Sequence, residues 1–173
     1  SNPTLARMLS DEQDFICVAL PLFKADLDPA GSGKPLMIVR TPDGQYSWPF
    51  YRTMLARLEQ EVPNIDPNHR ILGGFSNGAH ATAALLDGSD GEVARTFSAF
   101  MFVEGGGQLQ HYDLLKGKPF LMLSSNAKSL PRAKEITEAA KTAWAETALI
   151  FEDIGQHGFP PASYPAVREW LRG

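Results

Sequence analysis

The chain has 173 residues, of which 43% are hydrophobic, and its formal net charge is −4. This length suits one hydrophobic core, so we expect a single domain over residues 1–173. No lysine- or arginine-rich block is present and the apolar runs have only strand length, which argues against a nucleic-acid partner and against membrane insertion. The lone cysteine, Cys17, offers neither an internal disulfide nor a metal-ligand spacing. We expect a soluble protein, cytoplasmic or secreted, without a metal or an organic cofactor.

Short apolar runs alternate with amphipathic stretches along the chain. The runs predict strands at 14–20, 35–40, 70–75, 98–103, 119–124 and 148–154, and the stretches predict helices at 47–62, 76–88, 131–146 and 163–173. In the first helix, Phe50, Met54, Leu55 and Leu58 recur at three-to-four spacing and are expected to form its buried face. Strands with nearly continuous apolar content are typical of parallel sheets covered on both faces. The pattern predicts an α/β fold, a three-layer sandwich with a mainly parallel sheet.

A serine with glycines at both flanks lies at the junction of the strand at 70–75 and the helix at 76–88. Gly74-Phe75-Ser76-Asn77-Gly78 matches G-x-S-x-G, in which a sharp strand-to-helix turn exposes the serine Oγ above the sheet edge. Helix N-terminal amides there face developing negative charge, so the Asn77 N–H is a candidate oxyanion donor. The motif predicts Ser76 as a catalytic nucleophile. The alternative is a glycine-rich turn that is closely packed and has no chemical role.

The segment "NIDPNHRILGGFSNGAH" resembles the pattern around the active serine of α/β-hydrolase-fold esterases. The dienelactone hydrolase-like, polyhydroxyalkanoate depolymerase-like and feruloyl esterase-like groups are the most similar. Ala79 stands where those families often have glycine. The resemblance implies an α/β-hydrolase-like fold, a small-molecule ester as substrate, and a triad in the chain order serine, acid, histidine, with the histidine after the last strand.

His157 is the histidine in that place. It lies between the predicted strand at 148–154 and the predicted helix at 163–173, with Gly155 and Gly158 beside it. We therefore predict His157 as the base that takes the proton of Ser76. The remaining histidines, His69, His80 and His111, are expected to be structural or exposed.

The acid is less clearly placed than the base. The resemblance implies a carboxylate soon after the strand at 119–124, but Asn126 stands there, and an asparagine orients an imidazole without stabilising its positive charge. Glu104, after the strand at 98–103, is the alternative acid, with a loop carboxylate of no catalytic role as the competing interpretation. Asp153 is near His157 in sequence but is poorly placed at the end of a strand.

The second oxyanion donor has no recognisable motif. In the resembled families it comes from a loop after an earlier strand, often marked His-Gly, which is absent here. One hypothesis is that the chain is the C-terminal two-thirds of a hydrolase, with Leu5, Met8 and Leu9 in the helix that follows the missing loop. The other is a minimal variant in which the segment Pro21–Lys34 donates the N–H. In that variant, four aromatic residues within 33–51 would line a pocket, although we favour a role in the core for them. They are Tyr46, Trp48, Phe50 and Tyr51.

Two classes of function remain open at this point. The first is a serine hydrolase that cleaves carboxylic esters through an acyl-enzyme on Ser76. The second is a catalytically silent hydrolase-fold module that binds carbohydrate or protein. The lack of a clearly placed acid and of an oxyanion loop motif favours this second class. A dinucleotide-dependent dehydrogenase is a poor third candidate because no G-x-G-x-x-G opens a first βα turn.

Overall fold

In a computed structural model of the protein, the described residues are 7–9, 15–20, 23–27, 35–37 and 41–173. Residues 7–9 are helical, and two short strands that pair antiparallel with each other follow, β1 (Phe23–Leu27) and β2 (Pro35–Met37). Helices and strands then alternate in the order α1 (Thr41–Glu61), β3 (Ile71–Phe75), α2 (Asn77–Gly88), α3 (Glu92–Thr96), β4 (Ala99–Val103), β5 (Pro119–Ser124), α4 (Leu130–Thr142), β6 (Glu146–Phe151) and α5 (Tyr164–Arg172). Short 3₁₀ turns precede β5 and α5, at Tyr112–Leu115 and Pro161–Ser163.

The central sheet is parallel throughout and has the order β3-β4-β5-β6. Phe75 at the end of β3 pairs with Val103 at the end of β4, and Val103 pairs with Leu123 in β5. All four carboxyl ends therefore meet at one edge of the sheet. In open α/β sheets this is the edge at which ligands bind.

The two faces of the sheet carry separate hydrophobic clusters. Phe100, Phe102, Phe120 and Met122 face one way and pack with α1, α2 and α4. Val103, Leu121 and Leu123 face the other way and pack with α5. This alternation follows from the two-residue period of a strand. It gives three layers, with helices on both faces of the sheet, and confirms the predicted α/β sandwich.

The predicted strand at 14–20 is wrong over its described part. Residues 15–20 have no regular secondary structure, and Ile16 and Val18 are 53% and 46% exposed. Apolar content predicts burial, but a strand also needs backbone partners, and the parallel sheet among the described residues begins at β3. The run predicted at 35–40 contributes β2, which pairs with β1 and not with the parallel sheet.

The buried face of α1 differs from the predicted one. Trp48 and Tyr51 are 5% and 3% exposed, whereas Phe50 and Met54 are 52% and 39% exposed. The cause is a close crossing with α2, because a Cβ on Gly44 would lie 1.9 Å from the backbone oxygen of Ala84. The helix therefore turns its glycine-bearing face to α2. Leu55 and Leu58 are partly buried, and Tyr46, like Phe50, is exposed, so two of the four aromatic residues expected in the core belong to it.

Candidate active site

Ser76 occupies the turn between β3 and α2. Its backbone has φ 54° and ψ −114°, a conformation that is costly for a residue with a side chain. The Ser76 N–H donates to the carbonyl of Val103 over 2.8 Å, which ties the turn to the end of β4. A Cβ on Gly74 would lie 2.0 Å from the backbone carbon of Gly78, so only glycine permits the strand and the helix to approach this closely. The sharpness of the turn thus explains the first glycine of the motif.

Asn77 is the first residue of α2. Backbone N–H groups of a first helical turn point out of the helix end and carry the positive end of its dipole. The Asn77 N–H therefore has the polarity required to receive negative charge beside Ser76. Of the segment expected to give the second donor, 21–22 and 28–34 lie outside the described residues. Leu5 of the helix expected at the N-terminal end also lies outside them, whereas residues 7–9 are helical.

Glu104 directly follows β4 and is 8% exposed. Its carboxylate Oε2 lies 3.1 Å from Nδ1 of His157 and accepts a hydrogen bond of 3.1 Å from Nδ2 of Asn126. Oε1 accepts hydrogen bonds from the Ser125 N–H and, over 2.8 Å, from the Ser129 hydroxyl. The carboxylate is thus saturated with donors in a buried position.

These donors decide the charge of Glu104. Burial raises the pKa of a carboxyl group, but the hydrogen bonds from Ser125, Ser129 and His157 together lower the pKa of Glu104 below its ordinary value. The carboxylate is therefore ionised at neutral pH. A buried negative charge that faces one nitrogen of an imidazole fixes the tautomer with the proton on that nitrogen and stabilises the imidazolium.

His157 lies on the loop between β6 and α5, and its side chain is 52% exposed. The imidazole stacks on the ring of Phe75, the residue before Ser76, with ring centroids 5.1 Å apart. The hydroxyl of Ser125 holds the loop on both sides of the imidazole, since it donates to the Gln156 carbonyl over 3.0 Å and accepts from the Gly158 N–H over 3.1 Å. The imidazole thus contacts both Glu104 and Phe75, the residue before Ser76.

Asn126 is close to this cluster and has a supporting place in it. Its Nδ2 donates to Glu104, while its Oδ1 accepts the backbone N–H groups of Lys128 and Ser129, 3.0 Å each, just before α4. Asp153 is directed elsewhere, since it accepts the Gly155 N–H over 2.8 Å in its own turn. Of the candidate acids, Glu104 is therefore the one in contact with His157.

The side chains of the remaining histidines contact other residues. Nε2 of His69 is 3.2 Å from the Leu171 carbonyl, and His111 is exposed and gives its backbone N–H to Asp87. His80, in α2, pairs through Nδ1 with the side chain of Gln108. Each makes structural contacts, as the sequence predicts.

Sequence reasoning missed Ser125 and Ser129. Ser125 is fully buried and joins Glu104 to the loop that carries His157, and Ser129 donates to Glu104. The signal that could have identified them is the polar run Ser124-Ser125-Asn126 at the end of a strand that is otherwise apolar. Polar side chains that follow a parallel strand lie at the edge where sites form.

Two further properties concern metals and membranes. Within the described ranges, no group of three or more His, Cys, Asp or Glu side chains could hold a metal ion. No helix in the same part of the chain is long and apolar enough to cross a membrane.

Three solved structures, two of them of esterases, resemble this chain. A carboxylesterase from Bacillus cereus aligns with a TM-score of 0.63 at 18% identity, covering 87% of this chain and 72% of its own. A thermostable esterase gives 0.56 at 19% identity, covering 72% of this chain and 36% of its own. YahD, solved with malic acid, gives 0.53 at 18% identity, covering 76% of this chain and 63% of its own.

These similarities show the fold, which is of the α/β-hydrolase type. The chain spans between 36% and 72% of the length of these three structures. No protein-family model matches the sequence, and no curated protein matches it. The function is therefore argued from the site itself.

Proposed function

We propose that this chain is a serine hydrolase that cleaves small carboxylic esters, with Ser76 as nucleophile, His157 as base and Glu104 as acid. The observation that carries the proposal is the 3.1 Å contact between Glu104 Oε2 and His157 Nδ1, made across 53 residues at the edge of the sheet where Ser76 lies. A buried carboxylate behind an imidazole, with a serine on a strained turn nearby, is the arrangement that activates a hydroxyl for attack.

The proposed reaction has two halves. The Ser76 oxygen attacks the carbonyl carbon of the ester while its proton passes to Nε2 of His157, and the carbonyl oxygen becomes an oxyanion beside the Asn77 N–H. The bond between carbon and leaving oxygen then breaks, and the alcohol departs with the proton from His157. Water attacks the acyl-serine by the same route and releases the carboxylic acid.

Glu104 acts in both halves of the reaction without contacting the substrate. Because its pKa is lowered, it is negative when His157 becomes positive, and it compensates that charge at Nδ1. An asparagine in contact with Nδ1 could orient the ring but could not compensate the charge. This difference favours Glu104 over Asn126 as the acid.

The test is covalent labelling followed by turnover. A fluorophosphonate probe should label the wild-type chain on Ser76, and the label should be lost in Ser76→Ala, since the hydroxyl that forms the bond is gone. Ser98→Ala is the matched control, because Ser98 lies before β4 and its hydroxyl bonds to backbone groups of Arg70. Intact-protein mass and peptide mapping read the result.

A second measurement separates an enzyme from a silent module. Hydrolysis of p-nitrophenyl acetate should be abolished in Ser76→Ala and in His157→Ala, with circular dichroism unchanged. If the folded wild-type chain neither takes the label nor turns over the ester, the proposal fails and the silent-module hypothesis is supported.

A further inference from the structure

The ring of Phe75 lies against one face of the His157 imidazole. The ring centroids are 5.1 Å apart and the ring planes differ by 27°, so the two rings are stacked. The face of a benzene ring carries the negative part of its quadrupole, and the edge carries the positive part. His157 therefore has a surface of negative electrostatic potential beside its ring, in addition to the Glu104 carboxylate at Nδ1.

Packing on the α5 face of the sheet holds the Phe75 ring in this place. Phe75 is the last residue of β3 and packs against the hydrophobic cluster that contains Val103 and Leu123. Its ring centroid is 6.5 Å from that of Phe159, which in turn lies 5.7 Å from the ring of Tyr164 at the start of α5. A ring that is fixed by such packing does not have to be reordered when charge develops next to it.

The proposed reaction changes the charge of the imidazole that Phe75 contacts. The imidazole must be neutral to accept the proton of Ser76, and it is an imidazolium once it holds that proton. A cation within about 6 Å of an aromatic centroid is attracted to the ring face, whereas a neutral ring gains much less there. The stack is therefore stronger in the charged state than in the ground state, which is the condition for an interaction to raise kcat. Glu104 meets Nδ1 and Phe75 meets the ring face, so neither contact uses Nε2.

We propose that Phe75 is a positioning residue that acts through His157, because its aromatic face holds the imidazole and stabilises the imidazolium formed during ester cleavage. The inference rests on the proposed function, since it requires His157 to take up a proton during the reaction. The side chain of His157 is 52% exposed and solvent screens the contact, so we expect the lower part of the cation–π range, about twofold to fivefold in rate. Acylation and deacylation both form the imidazolium, so kcat and kcat/KM should change by the same factor while KM stays constant.

The test weakens the negative potential of the ring face with almost no change in the shape of the side chain. Phenylalanine analogues that carry one, two or three ring fluorines replace Phe75 in the whole chain, because each fluorine withdraws electron density from the face. The kcat for p-nitrophenyl acetate should fall stepwise along the series, by about twofold to fivefold at the third fluorine, with KM unchanged. Thermal unfolding of each protein is measured alongside, since a ring that served packing alone would change stability and not turnover.

The same analogues at Phe159 are the matched control. The ring contacts of Phe159 are with Phe75 and Tyr164, so kcat should stay at the value of the unmodified chain. If the unmodified chain is active and kcat is constant along the Phe75 series, or falls equally in both series, the inference is overturned and the proposed function stands. A fall in kcat that follows a loss of thermal stability would also overturn it, because packing would then explain the effect. If the folded, unmodified chain does not cleave the ester, the proposed function fails and this inference fails with it.

Discussion

The carboxyl ends of β4 and β5 are neighbours at the sheet edge, but they contribute opposite kinds of side chain. Glu104, which follows β4, is a buried acceptor that faces His157. β5 ends in Ser125 and Asn126, donors that surround the same carboxylate, and Ser125 also holds the histidine loop. The negative charge therefore comes from the end of one strand, and the hydrogen-bond donors that stabilise it come from the end of the next strand.

This division explains how an asparagine can stand where the resembled families have an acid. A carboxylate at 126 would meet the Glu104 carboxylate at hydrogen-bond distance, whereas an amide there donates to it. The two positions are coupled, so a change at one alters the requirement at the other. The predictions below test that coupling.

The largest effect is expected from Glu104→Gln. The variant removes the negative charge that compensates the imidazolium and replaces it with an amide that can favour the wrong tautomer, so kcat/KM for p-nitrophenyl acetate should fall about 10³-fold or more. Steady-state kinetics measure it, with Glu61→Gln as an exposed control in α1. If Glu104→Gln kept wild-type activity, the assignment of the acid to the end of β4 would be wrong.

Asn126→Asp should turn the attractive contact between residue 126 and Glu104 into a repulsive one. Two carboxylates at this distance repel each other and raise the pKa of the pair, so the free energy of unfolding should fall by about 2–3 kcal/mol at pH 7. The raised pKa makes the deficit shrink as the pH falls toward about 5, when one carboxyl group takes a proton. Urea unfolding at several pH values measures it, with the exposed Asn64→Asp as control; an equal loss at all pH values would contradict the coupling.

Ser125→Ala tests how far the position of the histidine loop matters when the charge of Glu104 is kept. The buried hydroxyl bridges Gln156 and Gly158, and its removal leaves both backbone groups without this partner. We expect the free energy of unfolding to fall by about 1–2 kcal/mol and kcat to decrease with little change in KM. Thr142→Ala, which alters an exposed hydroxyl in α4, should stay within about 0.5 kcal/mol of wild type. If both variants lost the same free energy of unfolding, the role assigned to Ser125 in holding the histidine loop would be wrong.

The smallest effect is the pH dependence that Glu104 gives to stability. Its folded pKa is below the ordinary value of 4.5, so its contribution is fully present above that value and is lost as the pH falls through the folded pKa. The difference in free energy of unfolding between wild type and Glu104→Gln should be constant from pH 6 to 7, within roughly the error of the measurement, and should narrow below about pH 4. A difference that widened in acid would mean that burial, and not hydrogen bonding, dominates at Glu104.

The sequence predicted the layers of the fold well, because apolar runs and helical periodicity record burial directly. β3 to β6, α2, α4 and α5 lie within four residues of their predicted bounds, whereas α1 begins at Thr41, six residues before its predicted start, and α3 was not predicted. The failures lie where burial and backbone pairing diverge, as at 15–20, or where a glycine decides which face of a helix is buried, as at Gly44.

The candidate site was predictable in its types of residue but not in its contacts. Ser76 and His157 follow from a motif and from chain order, and both Glu104 and Asn126 were candidates for the acid. The choice between them depends on distances across β4 and β5, which sequence spacing does not contain. Ser125 and Ser129 carry no motif, since their roles exist only once the two strand ends are side by side.

Ser76 and Glu104 share a backbone feature, a positive φ of 54° and 53° at the ends of adjacent strands. For residues with a side chain this conformation costs about 1–2 kcal/mol each relative to glycine. Glycine at either position would relax the backbone and delete the functional group. At Glu104 the hydrogen bonds that the buried carboxylate accepts oppose this cost. A screen that rewards thermal stability alone would therefore tend to select against the side chain of Ser76, so directed evolution of this fold should be run with turnover as a co-selected trait.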